Sequence, residues 1–170
     1  ADGTITFGGE TYVNLSHNDY LGLSHHPALV ERAREWAEAY GAGAGASRLV
    51  TGNLELFDRI ESKVANLKRK PAALVVASGC RAHAAVVQAL LHASMHVRRQ
   101  AAGVRQRRYL PCDTVHLASL LETQLSSRKP KFILTESVFS MDGDVAPMDE
   151  IVALGREHDA IVICDDAHAT

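Results

Sequence analysis

Three short apolar runs constrain the architecture of this chain more than anything else in it. They are residues 72–77, which follow Pro71, residues 132–135, and residues 160–164. Each is bounded by polar or glycine-containing segments and is too short to read as a buried helix. Between them lie stretches with apolar residues at helical spacing. Leu56, Phe57, Ile60, Val64 and Leu67 form the clearest stripe. Short apolar strands alternating with helices are the pattern of βα units. The predicted fold class is therefore α/β, a parallel-rich sheet flanked by helices on both faces.

The other elements fit around that frame. Residues 4–7 and 11–15 read as strands joined at Gly8-Gly9. A helix is predicted from Pro27 to Tyr40, because proline suits the first helical turn. The alternating glycine and alanine of residues 41–46 end it, since each glycine costs ~1 kcal/mol inside a helix. Asn53 is the predicted cap of a helix over residues 54–68. Further helices are predicted over residues 81–91, over residues 113–125 with Asp113 as cap, and from Pro147 onward. The last has Asp149 and Glu150 in its first turn, where the helix dipole favours them. Residues 104–110 read as one more strand.

In parallel α/β sheets, functional residues gather beyond the carboxyl ends of strands. That points to three places. Ser78-Gly79-Cys80 opens a helix, and the unpaired amides of a helix N-terminus suit a phosphate. Glu136 to Asp144 is an irregular polar loop between two regular elements, and such loops carry sites; Asp142-Gly143 supplies a turn there. Asp165-Asp166-Ala167-His168 puts a carboxylate at a strand end, where it could keep a pyridine nitrogen protonated. Taken singly, each also suits a plain turn, a helix cap or a surface charge pair.

Other features exclude functions. Charge balance is 18 basic against 20 acidic residues, a net −2, so nucleic acid is not an expected partner. No apolar stretch approaches the ~20 residues that cross a bilayer, and no signal segment opens the chain, so it reads as cytoplasmic with no membrane partner. Cys80, Cys112 and Cys164 are too scattered for a disulfide framework. The glycines of residues 41–45 follow a helix rather than a strand, so they fail the context of a dinucleotide fingerprint. His92 and His96 have metal-ligand spacing but lack the glutamate of the zinc protease pattern, and no metal is expected. Arg98, Arg99, Arg105, Arg107 and Arg108 beside Tyr109 read as a solvated face or a subunit contact.

In combination the motifs are more specific. Asn18-Asp19-Tyr20-Leu21-Gly22-Leu23-Ser24, Gly45-Ala46-Ser47-Arg48-Leu49-Val50-Thr51-Gly52, Ser78-Gly79, His92-Ala93-Ser94, Ser140-Met141-Asp142-Gly143-Asp144 and Asp165-Asp166-Ala167-His168 occur in this order over nearly the whole chain. The chain thereby resembles the α-oxoamine synthases, a group of fold-type I enzymes that use pyridoxal 5′-phosphate. The Asp-Asp-Ala-His ending suits their biotin-pathway branch. The resemblance implies a condensation of an amino acid, L-alanine in that branch, with an acyl-CoA of pimeloyl type, with loss of carbon dioxide and coenzyme A. A glycine- or serine-using member, or a non-catalytic partner subunit without the cofactor-bearing lysine, is the alternative.

The resemblance also implies roles and an organisation. Gly79 and Cys80 would hold the cofactor phosphate through backbone amides, with Ser78 nearby. His92 would stack on the ring and touch substrate. Asp165 would pair with the ring nitrogen, Ser140 and His168 would lie on the phenolic-oxygen side, Glu136 near the reacting centre, and Asn18 at the amino-acid carboxylate. Residues 1–52 would lead into a large cofactor-binding domain that begins at residue 53. A homodimer is implied, with the glycine-rich segment through Gly52 at its boundary. The five lysines, Lys63, Lys68, Lys70, Lys129 and Lys131, do not match the family's cofactor-bearing position, which falls beyond His168. The chain is therefore read as partial, without the small C-terminal domain.

Some positions depart from the family pattern. The family places a strand before His-Ala-Ser, and here Leu91 abuts His92, so either a loop and strand are deleted or Leu91 and His92 are not true neighbours in the chain. Cys80 replaces an aromatic residue, His83 a usual asparagine, and Pro111-Cys112 a usual His-Asn.

Overall fold

A computed structural model describes residues 3–94, 106–124 and 130–169, with only the backbone for 91–94. The chain divides into two compact units, Ala1–Val75 and Val76–Thr170.

The first unit opens with an antiparallel hairpin of β1 (Thr4–Phe7) and β2 (Glu10–Val13), in which Ile5 faces Tyr12. Helix α1 (Pro27–Tyr40) has the bounds that the sequence predicts. The His26 imidazole accepts from the Ala28 amide at 3.3 Å, and the Gly41 amide closes the last turn on Ala37. Helix α2 (Glu55–Leu67) is not capped by Asn53 as expected. Leu54 is its N-cap, without a side-chain bond, and the Asn53 amide oxygen instead accepts from Arg48 Nε at 2.7 Å. The longer cationic side chain competes for the same oxygen and takes it.

Residues 72–77 form no strand, which corrects the sequence reading. A strand needs a neighbour, and among the described residues no segment pairs with them. The backbone of Val75 is satisfied by side chains: its amide donates to Glu61 at 2.8 Å and its carbonyl accepts from Arg48 at 3.1 Å. Of the strand predicted over residues 104–110, residues 104 and 105 lie outside the described residues and residues 106–110 form none; the Leu110 amide donates to the His116 imidazole.

The second unit contains helix α3 (Gly79–Ser94), helix α4 (Thr114–Glu122), strand β3 (Lys131–Glu136), helix α5 (Met148–Glu157) and strand β4 (Ala160–Asp165). Asp113 caps α4 by accepting from the His116 amide at 2.8 Å, as predicted. Strands β3 and β4 pair in parallel, from Lys131 opposite Ala160 to Glu136 opposite Asp165. Their connection through α5 is a βα unit, as the alternation of apolar runs requires. Leu117 and Leu121 of α4, Ile133 of β3, Ala146 of the loop before α5 and Ile151 of α5 form the buried core. Burying a side chain like Ile151 contributes about 1.5–3 kcal/mol. Gly155 lets α5 ride close on β4: a Cβ there would lie 2.7 Å from Val162 Cγ2 and 3.2 Å from the Ala160 carbonyl oxygen.

Candidate active site

The parallel register fixes the site. Because Glu136 is paired with Asp165, β3 and β4 end side by side, and the loops that follow both strands start from one edge. Three bonds tie these loops together. The Ser137 amide donates to the Asp165 carbonyl at 2.9 Å, and its hydroxyl reaches the same carbonyl at 3.2 Å and Asp166 Oδ1 at 2.6 Å. Sequence reasoning passed over Ser137; its signal was a hydroxyl immediately after a predicted strand end.

The loop after β3 folds back on itself. Val138 bridges Val145, the Ala146 amide returns to the Ser137 carbonyl, and the Gly143 amide closes on Phe139. The turn expected at Asp142-Gly143 is present. Ser140 is exposed, and its amide donates to the Glu136 carboxylate at 3.2 Å. The polar loop is thus anchored to a strand-end carboxylate.

Asp165 is the most constrained of the predicted residues. The Ala167 amide donates to its Oδ1 at 2.8 Å, and His83 Nε2 lies 2.7 Å from its Oδ2. His83 belongs to α3, so this contact joins the strand end to the helix that Ser78-Gly79-Cys80 opens. Ser78 caps that helix: its hydroxyl accepts from Arg81 at 3.3 Å and its carbonyl from Ala82 at 3.0 Å. The amides of Gly79 and Cys80 have no partner among the described residues. A Cβ built on Gly79 would meet nothing within 4 Å. The helix start is open for a phosphate, while Asp165 meets the same helix four residues on, a rise of ~6 Å. A phosphorylated ring with a basic nitrogen matches that donor set: two amides for the anion and a held carboxylate for the nitrogen.

The other predicted residues are placed as follows. His168 is half-buried in the turn after β4. His92 lies in α3, but its side chain is outside the described residues, as are His96, Arg98, Arg99 and Arg105. Asn18 belongs to the first unit, where it accepts from the Tyr20 hydroxyl. Its neighbour Asp19 organises the local turn, accepting from the amides of Leu23 and Ser24 and from the Ser24 hydroxyl. These bonds, the hydroxyl's first, hold the Asp19 carboxyl below its usual range. Lys131 stands at the opposite end of β3 from Glu136, about 17 Å away along a strand of that length.

Comparisons with known proteins identify the family and the fold. Residues 10–170 match the family described as aminotransferase class I and II. Among curated proteins, a putative 8-amino-7-oxononanoate synthase of Paramagnetospirillum magneticum is 46% identical across 99% of this chain and 47% of its own length. One from Bordetella pertussis is 48% identical with the same coverage, and the 8-amino-7-oxononanoate synthase of Gluconacetobacter diazotrophicus is 46% identical across 95% of this chain and 46% of its own. The chain spans about half the length of these relatives. The first two alignments run over 185 positions against 170 residues here, so the relatives carry positions without a counterpart in this chain. Among solved structures, serine palmitoyltransferase from Sphingomonas wittichii superposes with a TM-score of 0.82 at 19% identity, covering 96% of this chain and 44% of that one. A structure of SPT with a PLP internal aldimine gives 0.82 at 23%, with the same coverage. At these identities the likeness shows the shared α/β fold, as the sequence predicts.

Proposed function

The chain belongs to the aminotransferase class I and II family, and from that premise we propose that it is the cofactor-binding part of an α-oxoamine synthase. The proposed cofactor is pyridoxal 5′-phosphate. The proposed reaction condenses L-alanine with a pimeloyl-type acyl-CoA, as the resemblance to the α-oxoamine synthases implies, and the curated relatives are named as 8-amino-7-oxononanoate synthases. The observation that carries this reading is the open helix start at Gly79 and Cys80, joined through α3 to a carboxylate held at both oxygens.

When bound, pyridoxal phosphate supplies an electron sink for negative charge at the amino acid's α-carbon. This chain supplies the binding and the electrostatics. The Gly79 and Cys80 amides hold the phosphate, with the helix dipole in their favour. Asp165 keeps a proton on the ring nitrogen, because an ionised carboxylate stabilises the cation beside it. By the family resemblance, Ser140 and His168 would serve the phenolic oxygen, Glu136 the reacting centre, His92 the ring, and Asn18 the amino-acid carboxylate. Residues 53–170 then form the first part of the large domain, with residues 1–52 leading into it. The homodimer expected of this reading uses the segment through Gly52, where Leu49 and Val50 are 98% and 74% exposed; a monomer by sedimentation overturns that part. No helix among the described residues is long and apolar enough to cross a membrane, and the reading places the reaction in the cytoplasm.

The test is spectroscopic. Pyridoxal phosphate added to the full-length protein is expected to give a visible band distinct from the free cofactor, and L-alanine is expected to shift it. A larger response to glycine or serine would reassign the amino acid. A spectrum identical to that of free cofactor would overturn the enzyme and favour a non-catalytic partner subunit.

A further inference from the structure

The helix that opens at Gly79 brings a histidine, His83, against Asp165. His83 Nε2 lies 2.7 Å from Asp165 Oδ2, while the Ala167 amide lies 2.8 Å from Oδ1. A carboxylate bound at one oxygen can still pivot about its Cβ–Cγ bond. Bound at both, by donors from two different elements, it has one orientation. Each oxygen carries two lone pairs, so one remains on each for an incoming N–H. We propose that His83 is a positioning residue for Asp165: its Nε2–H fixes the plane of the carboxylate that receives the cofactor's ring nitrogen. This rests on the assignment of Asp165 to that nitrogen.

The two ends of the contact differ in exposure. The Asp165 side chain is 26% exposed and the His83 side chain 61%. The carboxylate is therefore the sheltered member, held by a donor that reaches in from the helix face. His83 lies one helical turn after Gly79, so the helix that presents the phosphate amides also presents this donor. Binding the phosphate and aligning the acid become properties of one rigid element. An aspartate at a strand end on a mobile donor would have to be oriented by the cofactor itself, at a cost in affinity.

The experiment uses the full-length protein and pyridoxal phosphate labelled with ¹⁵N in the ring. Three variants are compared with wild type: His83→Leu, His83→Asn and Asp165→Asn. A hydrogen bond to a charged group is worth enough to predict an about tenfold weaker cofactor Kd for His83→Leu. Its ring-nitrogen resonance should move toward the unprotonated position, a readout that a merely structural role would not move. His83→Asn keeps a donor and should restore most of both. If His83→Leu matches wild type in affinity and resonance while Asp165→Asn does not, the role of His83 is overturned and the reading of Asp165 stands. If Asp165→Asn also leaves the resonance in place, the reading beneath it falls as well. A further measurement needs no variant: the His83 ring in the cofactor-free protein should carry hydrogen on Nε2. A neutral ring protonated only on Nδ1 could not donate to Asp165 and overturns the proposal.

Discussion

The two units of this chain hold themselves together by different means. In the second, Leu117, Leu121, Ile133, Ala146 and Ile151 interlock across two helices and a strand, and the site hangs from the end of that core. In the first, Ala65 is the buried hydrophobic residue among those described, while Phe7, Val13, Leu15, Leu21, Leu49 and Val50 stand largely exposed. Its order comes from polar contacts. Arg48 binds Asn53 through Nε, Glu61 through both terminal nitrogens and the Val75 carbonyl, and its guanidinium lies 4.6 Å from the Phe57 ring centre. The contrast separates two ways of fixing a backbone: apolar packing, which is cooperative and insensitive to pH, and a charged hub, which is directional and titrates.

That contrast can be broken most severely in the core. Ile151→Ala empties a side chain that is 1% exposed and belongs to one core cluster with Leu117, Leu121 and Ile133. A loss of about 2–5 kcal/mol is expected by urea denaturation, with cofactor binding lost in the same transition. An unchanged midpoint would show that the second unit is not held by its core.

A smaller effect is expected at Gly52, where a Cβ would fall 1.9 Å from the Ala46 carbonyl oxygen. Gly52→Ala forces residues 46–52 apart and should cost about 1–3 kcal/mol. Hydrogen exchange is the appropriate measurement: the Val50 and Gly52 amides, both bonded to the Ser47 carbonyl, should lose protection while those of β3 keep theirs. Loss in both regions would mean that the two units unfold as one.

The mildest probe is acid. Glu61 is held below the ordinary glutamate range, first by the Arg48 hydrogen bonds and then by the Val75 amide, against the burial that would raise it. A carboxyl with a depressed folded pKa stabilises above its unfolded value, and that contribution is lost as pH falls through the folded value. The Val75 amide resonance should therefore titrate below the ordinary glutamate range, and Glu61→Gln should abolish the titration. A Val75 amide indifferent to pH would remove Glu61 from the hub.

Much of this was legible beforehand, and the difference between what was and was not has a physical basis. Helix α1 was readable because proline, helical spacing and a glycine terminus all act locally. Strands β3 and β4 were readable because a short apolar run has few other uses. Residues 72–77 looked the same in sequence, yet strand formation depends on a partner that the run itself does not encode. The cap at Asn53 failed for a related reason, since Arg48 reaches the oxygen from five residues away. In the candidate site, Gly79, Cys80 and Asp165 stood out by their place at the end of apolar runs, although only the run that ends at Asp165 forms a strand. His83 and Ser137 did not stand out, because their significance lies in what they touch: a helix turn and a strand end brought together only by folding.

The sequence Asp165-Asp166 has a consequence of its own. The two residues are chemically the same, and both are at hand where the strand stops. Which one faces the candidate site is decided by the ladder from Lys131 opposite Ala160 to Glu136 opposite Asp165. A slip of one residue would turn every β4 side chain to the other face and exchange the two acids without changing an atom of composition. Ser137 guards against that slip by gripping the carbonyl of one aspartate and the carboxylate of the other. The choice of acid is thus stored as an address in the sheet, not as a letter in the chain.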